Sequence, residues 1–148
     1  MKKNIYLAGS CGSESRTTMV SIARKLRRAG YSVHCPFDLK IPNAWDMTQE
    51  EWAEQVFNSD IQAIRNCDVM VSISVGRVST AGTNWEQGYA YGIGKPCHVF
   101  QITDAQTSLM TYWGCQSFTN TTLDNVAKDI VKVLRDGGEQ LVCKTILT

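Results

Sequence analysis

Glu86 is the residue around which chemistry can be built. It stands in the run GTNWEQGYA, which starts at Gly82 and carries a loop into a helix. A carboxylate in the first turn of a helix faces unpaired N–H groups and the positive end of the helix dipole, and both favour its ionised form. An ionised carboxylate is what covalent attack by a glutamate requires. The same placement has a plain alternative. Thr83 and Glu86 have the spacing of a capping box, in which the glutamate does no more than close the helix start. Asp60 is a second carboxylate, near the end of an earlier helical stretch. If that helix ends by the carboxyl edge of a sheet, Asp60 can face Glu86. Two carboxylates across a sugar are the minimum for retaining glycosidic chemistry, one attacking the anomeric carbon and one serving the leaving group. Taken alone, a helical Asp is equally an exposed surface charge. Tyr6 has two readings as well: a core aromatic with a satisfied hydroxyl, or a phenol that orients the nucleophilic carboxylate.

Other polar features are less specific. The segment from Gly9 to Arg16, GSCGSESR, is rich in small residues and donors and feeds a helix. Backbone N–H groups in such a loop can hold an anion, with Ser10 and Arg16 as side-chain donors. It lacks both the Gly-Lys-Ser/Thr of a phosphate-binding P-loop and a GxGxxG. Trp45 lies in a polar, proline-containing stretch, where it either anchors the loop or stacks on a base. Arg24, Lys25, Arg27 and Arg28 read as a solvated helix face. His34 and His98 have no ligand-like neighbours, and the six cysteines are scattered without a CxxC pair, so free buried thiols are expected and no metal.

These residues need a frame. Residues 4–9 form a short apolar run, followed by helical spacing over 17–29 that Gly30 closes. Residues 31–35 alternate like a strand that Pro36 stops. Residues 48–66 read as a helix with Thr48 and Glu51 as its capping box and Trp52, Val56, Phe57, Ile61 and Ile64 inward. A strand over 68–75 follows, with Asp68 structural at its amino end. Next come a helix over 84–93, a strand over 97–102, a short helix over 109–113 and a short strand over 117–119. The last helix, 123–135, has Leu123, Val126, Ile130, Val133 and Leu134 inward, and a tail over 139–148 has no assigned place. The alternation predicts an α/β fold: an open, mostly parallel five-stranded sheet with helices on both faces. Ligands bind at the carboxyl ends of such strands.

The 148 residues fit a single domain of 1–148. A net charge of +1 argues against a protein that grips nucleic acid. No apolar run approaches the ~20 residues that span a bilayer, and the Met-Lys-Lys-Asn start leads into too short an apolar stretch for a secretory signal. A cytoplasmic location without membrane contact is expected.

The motifs then carry a family likeness. IYLAGS from Ile5, DIQAIRNCDVMV from Asp60 and GTNWEQGYAYGIGKP from Gly82 resemble the nucleoside 2-deoxyribosyltransferase superfamily, which includes the nucleoside 5′-monophosphate N-glycosidases. The likeness runs from Ile5 to about Met110. It implies a flavodoxin-like (Rossmann-like) fold, Glu86 as nucleophile, Asp60 assisting at base and sugar, and Tyr6 orienting Glu86. It also implies a homo-oligomer, at least a dimer, whose sites a neighbouring subunit completes. Two departures point to the substrate. The transferases typically carry an Asp six residues before the nucleophile, where this chain has Thr80, and an Asn-Leu-Met segment where it reads Ser108-Leu109-Met110. An Asp would repel a 5′-phosphate, whereas hydroxyls can donate to one. The N-glycosidases are similar here, with Ser at both places. The likeness thus implies a phosphate pocket of Ser10, Arg16, Thr80 and Ser108, and Gly9, Trp45, Gly82 and Met110 complete the expected substrate site.

The resulting expectation is an N-glycosidase that hydrolyses the base–sugar bond of a (2′-deoxy)nucleoside 5′-monophosphate through a glycosyl-Glu86 intermediate, with no metal or organic cofactor. One alternative is a nucleoside 2-deoxyribosyltransferase that exchanges bases by the same route. Another is a non-catalytic nucleotide-binding module, in which Glu86 is only a cap.

Overall fold

The computed structural model describes residues 2–9, 13–74, 81–102 and 107–136. In chain order it contains β1 (Asn4–Gly9), α1 (Ser13–Arg28), β2 (Ser32–His34), two 3-10 turns (Pro36–Asp38 and Ala44–Asp46) and α2 (Gln49–Asn66). Then come β3 (Val69–Ser74), α3 (Ala81–Gly92), β4 (Cys97–Gln101), α4 (Leu109–Trp113), β5 (Ser117–Asn120) and α5 (Val126–Arg135). The five strands lie in the order β2-β1-β3-β4-β5, and every pairing is parallel. The chain steps one way from β1 to β2 and the other way from β3 to β5, so the strand order reverses at β1. That is where an open α/β sheet leaves a crevice.

Each strand is apolar on both sides because both faces are covered. Ile5, Leu7, Val69, Val71 and Ile73 pack under Met19, Ile22 and Leu26 of α1 and Ile130 and Val133 of α5. Tyr6, Ala8, Met70 and Val99 face the opposite way, under Ile64 of α2, Ala90 of α3 and Tyr112 of α4. Alternation along β1 therefore sends Tyr6 to the face that carries α2 and α3. Gly30 and Gly94, at φ +95° and +79°, end α1 and α3 in the left-handed conformation open to glycine. The capping box of α2 is present as expected, with Thr48 and Glu51 bonding each other's backbone N–H.

Three packing expectations are corrected. Trp52 is 44% exposed rather than inward, because nine residues, about 2.5 turns, put it opposite the buried Ile61. Phe57 is also exposed and rests against Trp85 of α3. Leu123 is exposed because α5 begins only at Val126. Arg27 is no free member of a solvated face: it donates to the Asp38 carboxylate and to the Val33 carbonyl, tying α1 to the first 3-10 turn. Asp68 is structural, its Oδ2 accepting from the Asn4 N–H at 2.7 Å. Cys35, Cys67, Cys97 and Cys115 are buried free thiols, whereas Cys11, Cys143 and the tail lie outside the described residues. No helix among the described residues is long and apolar enough to cross a membrane.

His98 gives the fold an acid-sensitive point. It is buried on β4, with Nδ1 2.6 Å from Ser117 Oγ on β5, and burial pulls its pKa down to about 4. Between pH 6.5 and 4 the unfolded chain binds a proton that the folded chain refuses, so stability falls as pH falls through this window. From pH 7 to pH 5 the loss is about 2 kcal/mol from this residue. Urea unfolding at both pH values is expected to show this excess loss in the wild type and not in His98→Asn; equal losses in the two proteins would refute it.

Candidate active site

The site grows from the central position of Tyr6 on β1, paired in register with His34 on one side and Met70 on the other. Tyr6 is fully buried and its hydroxyl donates to Glu86 Oε2. α3 begins at Ala81, so Glu86 lies in its second turn, and the first turn contains no acidic residue. This corrects both readings of Glu86 as a first-turn carboxylate. The side chain reaches across to β1 instead of turning back as a cap, and the helix end is not what governs its charge. Burial is the largest influence and raises its pKa. The Tyr6 hydrogen bond lowers it, the Asp60 charge raises it and the His34 charge lowers it, leaving it at about 7. Burial, then Glu86 and Asp60, push the Tyr6 phenol far above its ordinary range, so it remains a neutral donor.

Asp60 comes in from the second half of α2 and is half-buried. Its Oδ1 lies 3.0 Å from His34 Nε2. The His34 ring stacks on Tyr6, with centroids 5.3 Å apart and planes 13° from parallel. Tyr6, Asp60 and Glu86 therefore come together as expected, and a fourth residue joins them. From the sequence His34 offers only a metal-ligand reading, and that lacks ligand-like neighbours. Its sequence signal was weak: an alternating stretch stopped by Pro36 places it at a strand's end, but only the strand order puts that strand beside Tyr6.

The other expected residues are not gathered at this point. Arg16 is exposed on α1 and lines a groove of about 600 Å³ with Thr17, Ser21, Arg24, Phe37 and Lys40. Trp45, in the second 3-10 turn, is 84% exposed. Ser108 caps α4, accepting from the Thr111 N–H, and Met110 is 78% exposed. Both line a cavity of about 420 Å³ with Asn84, Gln87 and Tyr91, on the far side of α3 from Glu86. Gly82 is exposed near the start of α3, where an added Cβ meets nothing. Gly9 has a packing reason for being glycine, since a Cβ there would lie 2.5 Å from Met19 Sδ. Ser10 and Thr80 lie outside the described residues.

Geometry of this kind suits displacement at a sugar carbon. Tyr6 engages Oε2 of Glu86, no described residue bonds Oε1, and Asp60 supplies a second carboxylate on the same side of the sheet. Comparison with known proteins agrees with the architecture. A sequence model of the nucleoside 2-deoxyribosyltransferase family matches residues 5–130. Among solved structures, a 2-deoxyribosyltransferase from Bacillus psychrosaccharolyticus superposes with a TM-score of 0.72 and 28% identity, covering 84% of this chain and 90% of that one. A CMP N-glycosidase from Clostridium botulinum gives 0.63 and 16% identity, over 89% and 100% of the two chains. A conserved protein from Enterococcus faecalis gives 0.59 and 14%, over 90% and 100%. At such identities the last two speak to the fold alone. No curated protein sequence matches the chain. The family match runs through Tyr6, Asp60 and Glu86 and spans most of the 148 residues, so the chain belongs to the nucleoside 2-deoxyribosyltransferase family.

Proposed function

We propose that the chain is an N-glycosidase acting on a nucleoside 5′-monophosphate, with 2′-deoxyribose as the favoured sugar. The observation that carries the chemistry is the half-buried Glu86 carboxylate held by the Tyr6 hydroxyl, with Asp60 as a second carboxylate on the same face. Glu86 Oε1 attacks C1′, the C1′–N bond breaks, and its electron pair leaves with the base. Asp60 assists that departure by hydrogen bonding or by passing a proton to the base. Water then attacks C1′ of the glycosyl-Glu86 ester, releasing the sugar phosphate and restoring the carboxylate. No metal or organic cofactor enters these steps. Hydrolysis of a monophosphate is favoured by Thr80, uncharged where the transferases typically carry Asp, and by Ser108, a hydroxyl donor where they typically carry Asn. Ser10 and Arg16 join them as phosphate donors, with Gly9 and Gly82 as further substrate-binding positions and Trp45 stacking on the base.

Ser108 and Met110 reach the sugar from a neighbouring subunit in this reading. Their place beyond α3, and the exposure of Leu109, Met110 and Trp113, support a homo-oligomer of at least two chains. Light scattering is expected to give at least twice the monomer mass of 16.5 kDa; a monomer that still turns over would remove the neighbour from the site.

A second reading, base exchange, is favoured by the likeness to the Bacillus 2-deoxyribosyltransferase. One assay separates the readings. Nucleosides and their 5′-monophosphates are incubated with and without an acceptor base, and the bases are resolved by chromatography. Release only from monophosphates, with no exchanged product, is expected. New nucleosides formed only with acceptor would make the protein a transferase. Absence of any turnover would favour a nucleotide-binding module.

A further inference from the structure

We propose that His34 is a positioning residue of this site, donating from Nε2 to Asp60 Oδ1 and so aiming the other oxygen, Oδ2, at the substrate. The inference rests on the roles of Glu86 and Asp60 given above. With Oδ1 as the acceptor, Nε2 is the donor, and any proton that Asp60 passes to the base is carried on the other oxygen, Oδ2. No described residue bonds Oδ2, which is the oxygen left for the base or the sugar. His34 is itself constrained: Tyr6 is its register partner on the adjacent strand, and its ring lies flat on the Tyr6 ring. One imidazole thus touches both the phenol that holds the nucleophile and the carboxylate that serves the leaving group. The side chains of His34 and Asp60 are 26% and 18% exposed, so the pair is less screened than a surface ion pair. A free Asp side chain would sample several rotamers, and a misplacement of ~1 Å at a reacting centre costs up to ~10²-fold in rate.

Two substitutions separate the contacts. His34→Phe keeps a ring on Tyr6 and loses the N–H; His34→Gln keeps an amide N–H for Asp60 and loses the ring. With a deoxynucleoside monophosphate as substrate, His34→Phe is expected to lower kcat by ~10–100-fold while KM stays within about threefold. His34→Gln is expected to recover most of that loss. In an Asp60→Asn background, His34→Phe is expected to add less than about threefold, because both changes remove one interaction. The inference is overturned if His34→Phe keeps wild-type kcat, if its effect multiplies with that of Asp60→Asn, or if His34→Gln is no better than His34→Phe. Nitrogen-15 spectra of the imidazole give a readout free of turnover. Nε2 is expected to be protonated at neutral pH and to shift on Asp60→Asn; an unprotonated Nε2, or one indifferent to that change, overturns the inference. A wild-type protein without turnover would instead sink the glycosidase reading, and the Nε2 resonance alone would then decide whether His34 holds Asp60.

Discussion

Glu86→Gln is expected to abolish turnover, by at least ~10³-fold, while making the folded protein more stable above neutral pH. The two effects share one cause. The carboxylate is largely buried, and burial raises its pKa to about 7 from an ordinary 4.5. Between those values the folded chain keeps a proton that the unfolded chain has released. Stability therefore falls as pH rises from 4.5 to 7 and stays at the lower level above it. The total is about 3 kcal/mol. A glutamine cannot ionise, yet its amide oxygen can still accept from Tyr6, so it escapes this loss while losing the nucleophile. At pH 8 the variant should melt several degrees above wild type, at roughly 2–4 °C per kcal/mol for a chain of this size. At pH 5, where Glu86 is protonated in the folded chain, the gap should nearly close. Base release by chromatography and thermal melts at the two pH values test both halves. A glutamine variant that still turns over would remove Glu86 from the chemistry. One less stable than wild type at pH 8 would mean that the ionised carboxylate is better solvated than its burial implies.

Such a trade of stability for reactivity is the kind of local conflict that sequence reading handles unevenly. Strand and helix alternation made the sheet legible, because two covered faces require continuous apolar strands and intervening helices. Helix ends set by local chemistry were also legible: Thr48 with Glu51 at the start of α2, and Gly30 and Gly94 after α1 and α3. Failures came where position depends on what lies across space. Trp52 and Phe57 look like core residues by type, but the turn count of α2 sends Trp52 outward, and Phe57 is exposed and rests against the exposed Trp85. Glu86 suggested a first-turn carboxylate because the helix was expected to begin three residues later than it does. The family motifs led to Tyr6, Asp60 and Glu86. They did not lead to His34, which joins the site because β2 lies beside β1 and because α2, beyond the two 3-10 turns, brings Asp60 to it.

Tyr6→Phe is expected to lower the rate of base release by ~10²-fold at pH 6 and by distinctly less at pH 9. In the proposed mechanism only the ionised form of Glu86 attacks, so the wild-type rate should rise with pH through about 7 and then level. Three groups face that carboxylate. The Tyr6 hydroxyl and the His34 charge favour its ionised form, and the Asp60 charge opposes it. Removing the hydroxyl leaves burial and Asp60 less opposed, so the acid limb of the profile moves above 7. Raising the pH then restores the ionised fraction. It does not restore the orientation, because Oε2 no longer has a donor and Oε1 loses its fixed aim. The deficit should therefore shrink toward high pH without closing. Rates for both proteins from pH 5 to 9 give the answer. A deficit constant across that range would assign Tyr6 to orientation alone, since a changed ionisation equilibrium must vary with pH. A deficit that vanishes at pH 9 would assign it to the charge of Glu86 alone, and Asp60 with His34 would then be left to hold the reacting geometry.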